Sequence, residues 1–105
     1  SSVREEIELM VQDANPDAML MDGLDDAILG IGCQWGAKPL VIYSATKIIE
    51  SLMKGDDGMD HETALEWYGH NIECAYVGEG TPIIVDDWIV DTREKTEQLG
   101  STFTR

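Results

Sequence analysis

Apolar residues fall at Val3, Ile7, Met10, Val11 and Ala14, the spacing of one helix face, with Glu5, Glu6, Glu8 and Asp13 mostly on the other side. Ser2 and Glu5 stand at the separation of a capping box, in which a Ser hydroxyl and a Glu three residues on satisfy each other's backbone amides. Pro16 ends this helix, because it disfavours the α region at Asn15. Between residues 17 and 26 the pattern loosens. Ala18-Met19-Leu20-Met21 reads as one further apolar helical turn, and Asp22-Gly23 turns the chain.

Residues 27–34 and 40–43 read as two strands joined by the turn residues Trp35-Gly36-Ala37-Lys38-Pro39, a β-hairpin. Ser44 or Thr46 caps a helix reaching Lys54, with Ile48, Ile49, Leu52 and Met53 as its buried stripe. Gly55-Asp56-Asp57-Gly58 breaks it. Asp60 caps another helix from His61 to about Ala75, with Ala64, Leu65, Tyr68, Ile72 and Ala75 turned inward. Thr81-Pro82 leads into a third strand, Ile83 to Val85 or as far as Val90, and the polar stretch from Asp91 reads as a frayed tail. The order αββααβ predicts a single α+β domain, with about three mainly antiparallel strands and helices on one face. Residues 1–16 form its acidic N-terminal helix, 21–90 its core and 91–105 its tail.

Composition leaves this fold class intact. A hydrophobic share of 43% is ordinary for a globular chain, so the core has not been thinned. No apolar run approaches the roughly 18 residues of a membrane span, and no signal-peptide pattern opens the chain. Cys33 and Cys74 are too few for a disulfide framework and are expected as reduced thiols in a cytosolic protein.

Charge changes the picture more. Asp and Glu number 21 against 7 Lys and Arg, a net charge of −14, where a magnitude of about 2–8 suffices for the solubility of a small domain. Such a field repels nucleic acid and anionic lipid and attracts basic protein surfaces or divalent cations. Its distribution is uneven: residues 1–30 carry −7, residues 31–60 only −1, and residues 61–105 carry −6.

The motifs that could carry catalysis each fail on a particular residue. Gly30-Ile31-Gly32-Cys33-Gln34-Trp35-Gly36 has its third glycine one residue late for a dinucleotide fingerprint, and a strand follows it instead of a helix. His61-Glu62 opens like a zinc-protease helix, but Leu65 occupies the place of the second His. His70 and Cys74 share a helix face, yet structural zinc normally takes four ligands; the competing expectation is a half-buried His and a core Cys. Asp13-Ala14-Asn15-Pro16-Asp17 lacks the glycine and closing Glu of a calcium loop, with Ala18 and Leu24 in their places. The clusters Asp25-Asp26, Asp56-Asp57-Asp60 and Asp86-Asp87 are candidate Mg²⁺ or Ca²⁺ ligands, against which Asp22, Asp25, Asp56 and Asp60 fit local turn and capping work. No elbow or helix start activates Cys33 as a nucleophile. A protein without enzymatic activity, metal or cofactor is expected.

The runs Met21-Asp22-Gly23-Leu24-Asp25-Asp26-Ala27-Ile28-Leu29-Gly30, Val41-Ile42-Tyr43-Ser44 and Ala75-Tyr76-Val77-Gly78-Glu79-Gly80-Thr81-Pro82-Ile83 resemble a group of small acidic proteins of tailed bacteriophages. The resemblance spans about residues 21–85 and brings no catalytic motif or functional residue with it. It implies a phage origin, a place in the host bacterial cytoplasm, and action by covering the nucleic-acid-binding surface of a host protein.

The resulting expectation is a monomer or homodimer that binds a basic host protein surface, contacting neither nucleic acid nor membrane. Glu5, Glu6, Glu8, Asp13, Asp25 and Asp26 supply the charge. Trp35, exposed in the hairpin turn, is an aromatic anchor of the kind enriched at binding hot spots. Reversing Glu5, Glu6 and Glu8 to Lys is expected to leave the fold intact. The alternatives are a self-assembling or virion-associated module pairing through residues 28–43, and a metal-dependent enzyme acting on nucleotides.

Overall fold

A computed structural model describes residues 2–56 and 58–87. The expected continuation of the third strand to Val90 and the tail from Asp91 lie outside the described residues. The fold is α+β: helix α1 (Val3–Gln12), strand β1 (Ile28–Gly32), strand β2 (Leu40–Ser44), helix α2 (Ala45–Lys54), helix α3 (His61–Tyr68) and strand β3 (Ile83–Val85).

β2 lies at the centre of the sheet, antiparallel to β1 and parallel to β3. The expectation of mainly antiparallel strands therefore holds for the hairpin and not for β3. The reason is the connection. β2 runs straight into α2, and the chain crosses back over α2 and α3, so the next strand enters pointing the same way.

The register places Ile28, Ile31, Val41, Tyr43 and Ile84 on the helix-covered face, where Val11, Ile48, Ile49, Ala64, Tyr68 and Ile72 complete one core. A bulge between Ile28 and Gly30 keeps both isoleucines of β1 on that face and leaves Leu29 exposed. Gly30, at φ 151°, takes a backbone conformation there that other residues rarely adopt.

Several expected core positions are exposed. On α1, Ile7 and Val11 face the core and Val3 and Met10 do not, because a small sheet offers only a narrow contact line; Ala14 lies past the end of the helix and is exposed. Ala18–Met21 takes no regular secondary structure and is held by Met19 N–H donating to the Gly80 carbonyl and Met21 N–H donating to Tyr43 Oη, so the predicted helical turn does not form. A 3-10 turn occupies Asp25–Ala27 instead.

The helix predicted over 61–75 becomes a π turn over Gly69–Glu73. The wider turn keeps Ile72 in line with Ala64 and Tyr68. Leu65, Ala75 and Cys74 are left outside, as is Met53 on α2. Cys74 is thus not a core residue, and His70 is exposed and not half-buried. Both cysteines are free thiols.

Ser44 and Asp87 close the fold at one point. Ser44 Oγ accepts from Lys47 N–H at the N-terminus of α2 and donates to Asp87 Oδ2, while Asp87 Oδ1 accepts from Thr46 N–H at 2.9 Å. The chain leaving β3 therefore supplies a second cap to α2, bringing a carboxylate to the positive end of the helix.

Candidate functional site

α1 is the element on which most of the predicted contact residues sit, and its local chemistry fixes which of them are available. The capping box forms: Ser2 Oγ accepts from Glu5 N–H, and Ser2 N–H donates to Glu5 Oε1 at 3.0 Å. Glu5 is exposed but engaged. Reversing it to Lys would remove half of the box, a loss that reversing Glu6 does not carry. Glu6 and Asp13 are exposed, and Glu8 is half-buried.

The one basic residue of α1 points away from this surface. Arg4 Nη1 donates to the Met21 carbonyl and to Asp25 Oδ1, both at 3.1 Å, and Nη2 pairs with Asp22 at 3.2 Å. The hydrogen bond to Asp25, joined by the nearby Asp25, Asp22 and Glu8 charges, raises the guanidinium pKa against a lesser desolvation effect. Asp25 is thus occupied in holding α1 to the 3-10 turn. Asp26 turns the other way, toward α2, and shares an open polar cavity with Lys47, Glu50 and Lys54. The adjacent acids Asp25 and Asp26 therefore serve different surfaces.

Trp35 lies where expected, in the turn between β1 and β2, and is 87% exposed.

A second acidic region has no counterpart among the predicted residues. Residues 55–87 contain nine Asp and Glu and no Lys or Arg. Glu62 and Glu66 are exposed one turn apart on α3, and Glu73, Glu79 and Asp86 are exposed on the segments that follow. Burial pushes the Tyr68 phenol up to about 12, and the charges of Asp86, Glu73 and Asp87 add to the shift. Carboxylates of the π turn and of the residues after β3 thus add to the negative field at one core phenol. The sequence signal was present: a long stretch free of Lys and Arg is visible in a plain reading, but division into thirds dilutes it.

Among the described residues Arg4 makes the only ion pairs. No group of three or more His, Cys, Asp or Glu among the described residues is placed to hold a metal ion. No helix among them is long and apolar enough to cross a membrane. Comparison of the chain with protein-family models, with curated proteins and with solved structures finds no match in any of the three.

Proposed function

We propose that this protein is a phage accessory protein that binds a host protein through its acidic surface and occupies the place of nucleic acid on it. One observation carries the proposal. The single cation of α1 pairs with Asp22 and Asp25, while Glu6 and Asp13 are exposed with no ion pair among the described residues and Glu5 is bound to its own cap. Self-repulsion at −14 works against a compact state, and a chain of only 105 residues retains it. Duplex DNA presents one charge per ~1.7 Å of axis, and a helix rising about 1.5 Å per residue with carboxylates along its outer side imitates a short length of it.

The test is competition. Proteins captured from bacterial lysate at low salt are loaded with labelled duplex DNA, and this protein is titrated in. Displacement of the DNA, weakening steeply with added salt, is the expected result. Captured proteins that bind this chain and keep their DNA would overturn the mimicry.

The edge position of β1, beside an exposed Trp35, supports a second reading, assembly with another copy. Sedimentation of the pure protein decides it. A dimer or larger species that dissociates on Trp35→Ser supports assembly, and a monomer at every concentration dismisses it.

A further inference from the structure

An apolar groove runs between the segment 19–21, the π turn and β3. It encloses about 200 Å³ and is lined chiefly by Met19, Met21, Ile72, Ala75, Val77 and Ile84. Both walls are fixed. Met19 and Met21 are held by their amides to Gly80 and Tyr43. The opposite lip is tied by Val77 N–H donating to Thr81 Oγ1 at 2.9 Å and by Thr81 Oγ donating to the Gly78 carbonyl at 2.6 Å. Gly80 closes the junction, since a Cβ there would run into the Asp17 carbonyl. Tyr76 and Val77 stand 75% and 61% exposed beside the opening, an outlay of apolar surface that the core does not use.

The surroundings choose the occupant. Glu73 follows Ile72 and Asp86 lies two residues beyond Ile84, both exposed in a stretch that holds no Lys or Arg, while Glu79 lines a neighbouring cavity with Asp17 and Lys38. A second copy of this chain would bring a further −14 to this acidic stretch. A partner with cations at the rim and an aliphatic group at the centre meets both features.

We infer that this groove is the anchor cavity for one aliphatic side chain of a basic partner segment, a Leu, Ile or Met flanked by Lys or Arg. The inference rests on the acidic-surface reading and adds the place where a partner's apolar residue inserts. The two methionines give the wall the adaptability to accept side chains of differing shape.

The test uses two labelled peptides, Gly-Lys-Lys-Leu-Lys-Lys-Gly and its counterpart with Ser in place of Leu, and reads their affinities by fluorescence anisotropy. The Leu peptide is expected to bind at least about tenfold tighter, the worth of burying one such side chain. Ala75→Trp, at an exposed position, fills the groove and should abolish this preference without changing the Ser peptide. Glu73→Gln combined with Asp86→Asn should weaken both. Amide NMR shifts in the wild-type chain give a readout independent of any variant: the Leu peptide should move Met19, Ile72 and Val77.

Equal affinities for the two peptides, both lost with salt, would overturn the groove and leave the acidic surface standing. No binding of either peptide at low salt would overturn both. A self-association abolished by Ala75→Trp would give the groove to a second copy and so overturn the inference.

Discussion

Arg4 and Asp25, separated by 21 residues in sequence, are joined by a 3.1 Å hydrogen-bonded ion pair that fastens α1 to the turn preceding β1. The same guanidinium satisfies the Met21 carbonyl, so one side chain fixes the helix against the chain that follows it. The pair also sorts the charge of the N-terminal region. Asp22 and Asp25 are internal counter-ions, and the carboxylates available to a partner are those Arg4 does not reach.

Arg4→Gln should therefore destabilise the fold by about 1 kcal/mol, the scale of a partly exposed charged hydrogen bond, measured by urea denaturation. The loss should shrink as salt is added, because both carboxylates keep contact with solvent. Amide exchange in α1 should quicken while exchange at Val41 and Tyr43 keeps its order. An equal loss at every salt concentration would assign the effect to packing.

The double cap on α2 carries a pH dependence. Desolvation pushes the Asp87 carboxyl up, but bonds from Ser44 Oγ and Thr46 N–H outweigh it and hold the group below the ordinary carboxylate range. Its contribution to stability is present above the ordinary carboxylate value and is lost as pH falls through the lowered folded value. Asp87→Asn should be less stable than the parent at neutral pH, with the difference closing in acid. Ser44→Ala should cost about 1–2 kcal/mol, since it removes a cap and strands part of the second one.

Tyr68 sets the alkaline limit. With its folded pKa raised to about 12, the unfolded chain gives up the phenolic proton first. Stability should fall as pH rises from about 10 toward 12, where folded Tyr68 itself ionises. Desolvation raises Tyr43 in the same direction. Tyr68→Phe should flatten part of the alkaline decline in melting temperature, and an unchanged slope would show that other groups set it.

The elements with strong local codes were legible in the sequence. Ser2 with Glu5, Ser44 and Asp60 each mark a helix start and each cap as expected. The hairpin follows from its turn residues, and the exposure of Trp35 follows from its place in that turn. What stayed hidden depends on tertiary geometry. The apolar run Ala18–Met21 has a helical look, yet the amides of Met19 and Met21 are taken by Gly80 and Tyr43, distant in sequence. The helical segment closes in a π turn and ends at Glu73, before the expected Ala75, so Ala75 becomes groove wall instead of core. The different fates of Asp25 and Asp26 are set by Arg4, whose partners have no sequence signature.

The most direct test of the acidic surface changes charge while keeping the helix. Glu5→Gln preserves the capping box, which accepts Gln in that place, and Glu6→Lys with Asp13→Lys reverses the two freely exposed acids. After circular dichroism confirms the fold, the affinity of this variant for a DNA-binding host protein captured at low salt is measured across a salt series beside the parent. The variant should bind at least about tenfold more weakly at low salt, with a shallower dependence of affinity on salt. A folded variant that binds with unchanged affinity and unchanged salt dependence would contradict the assignment of partner binding to this helix.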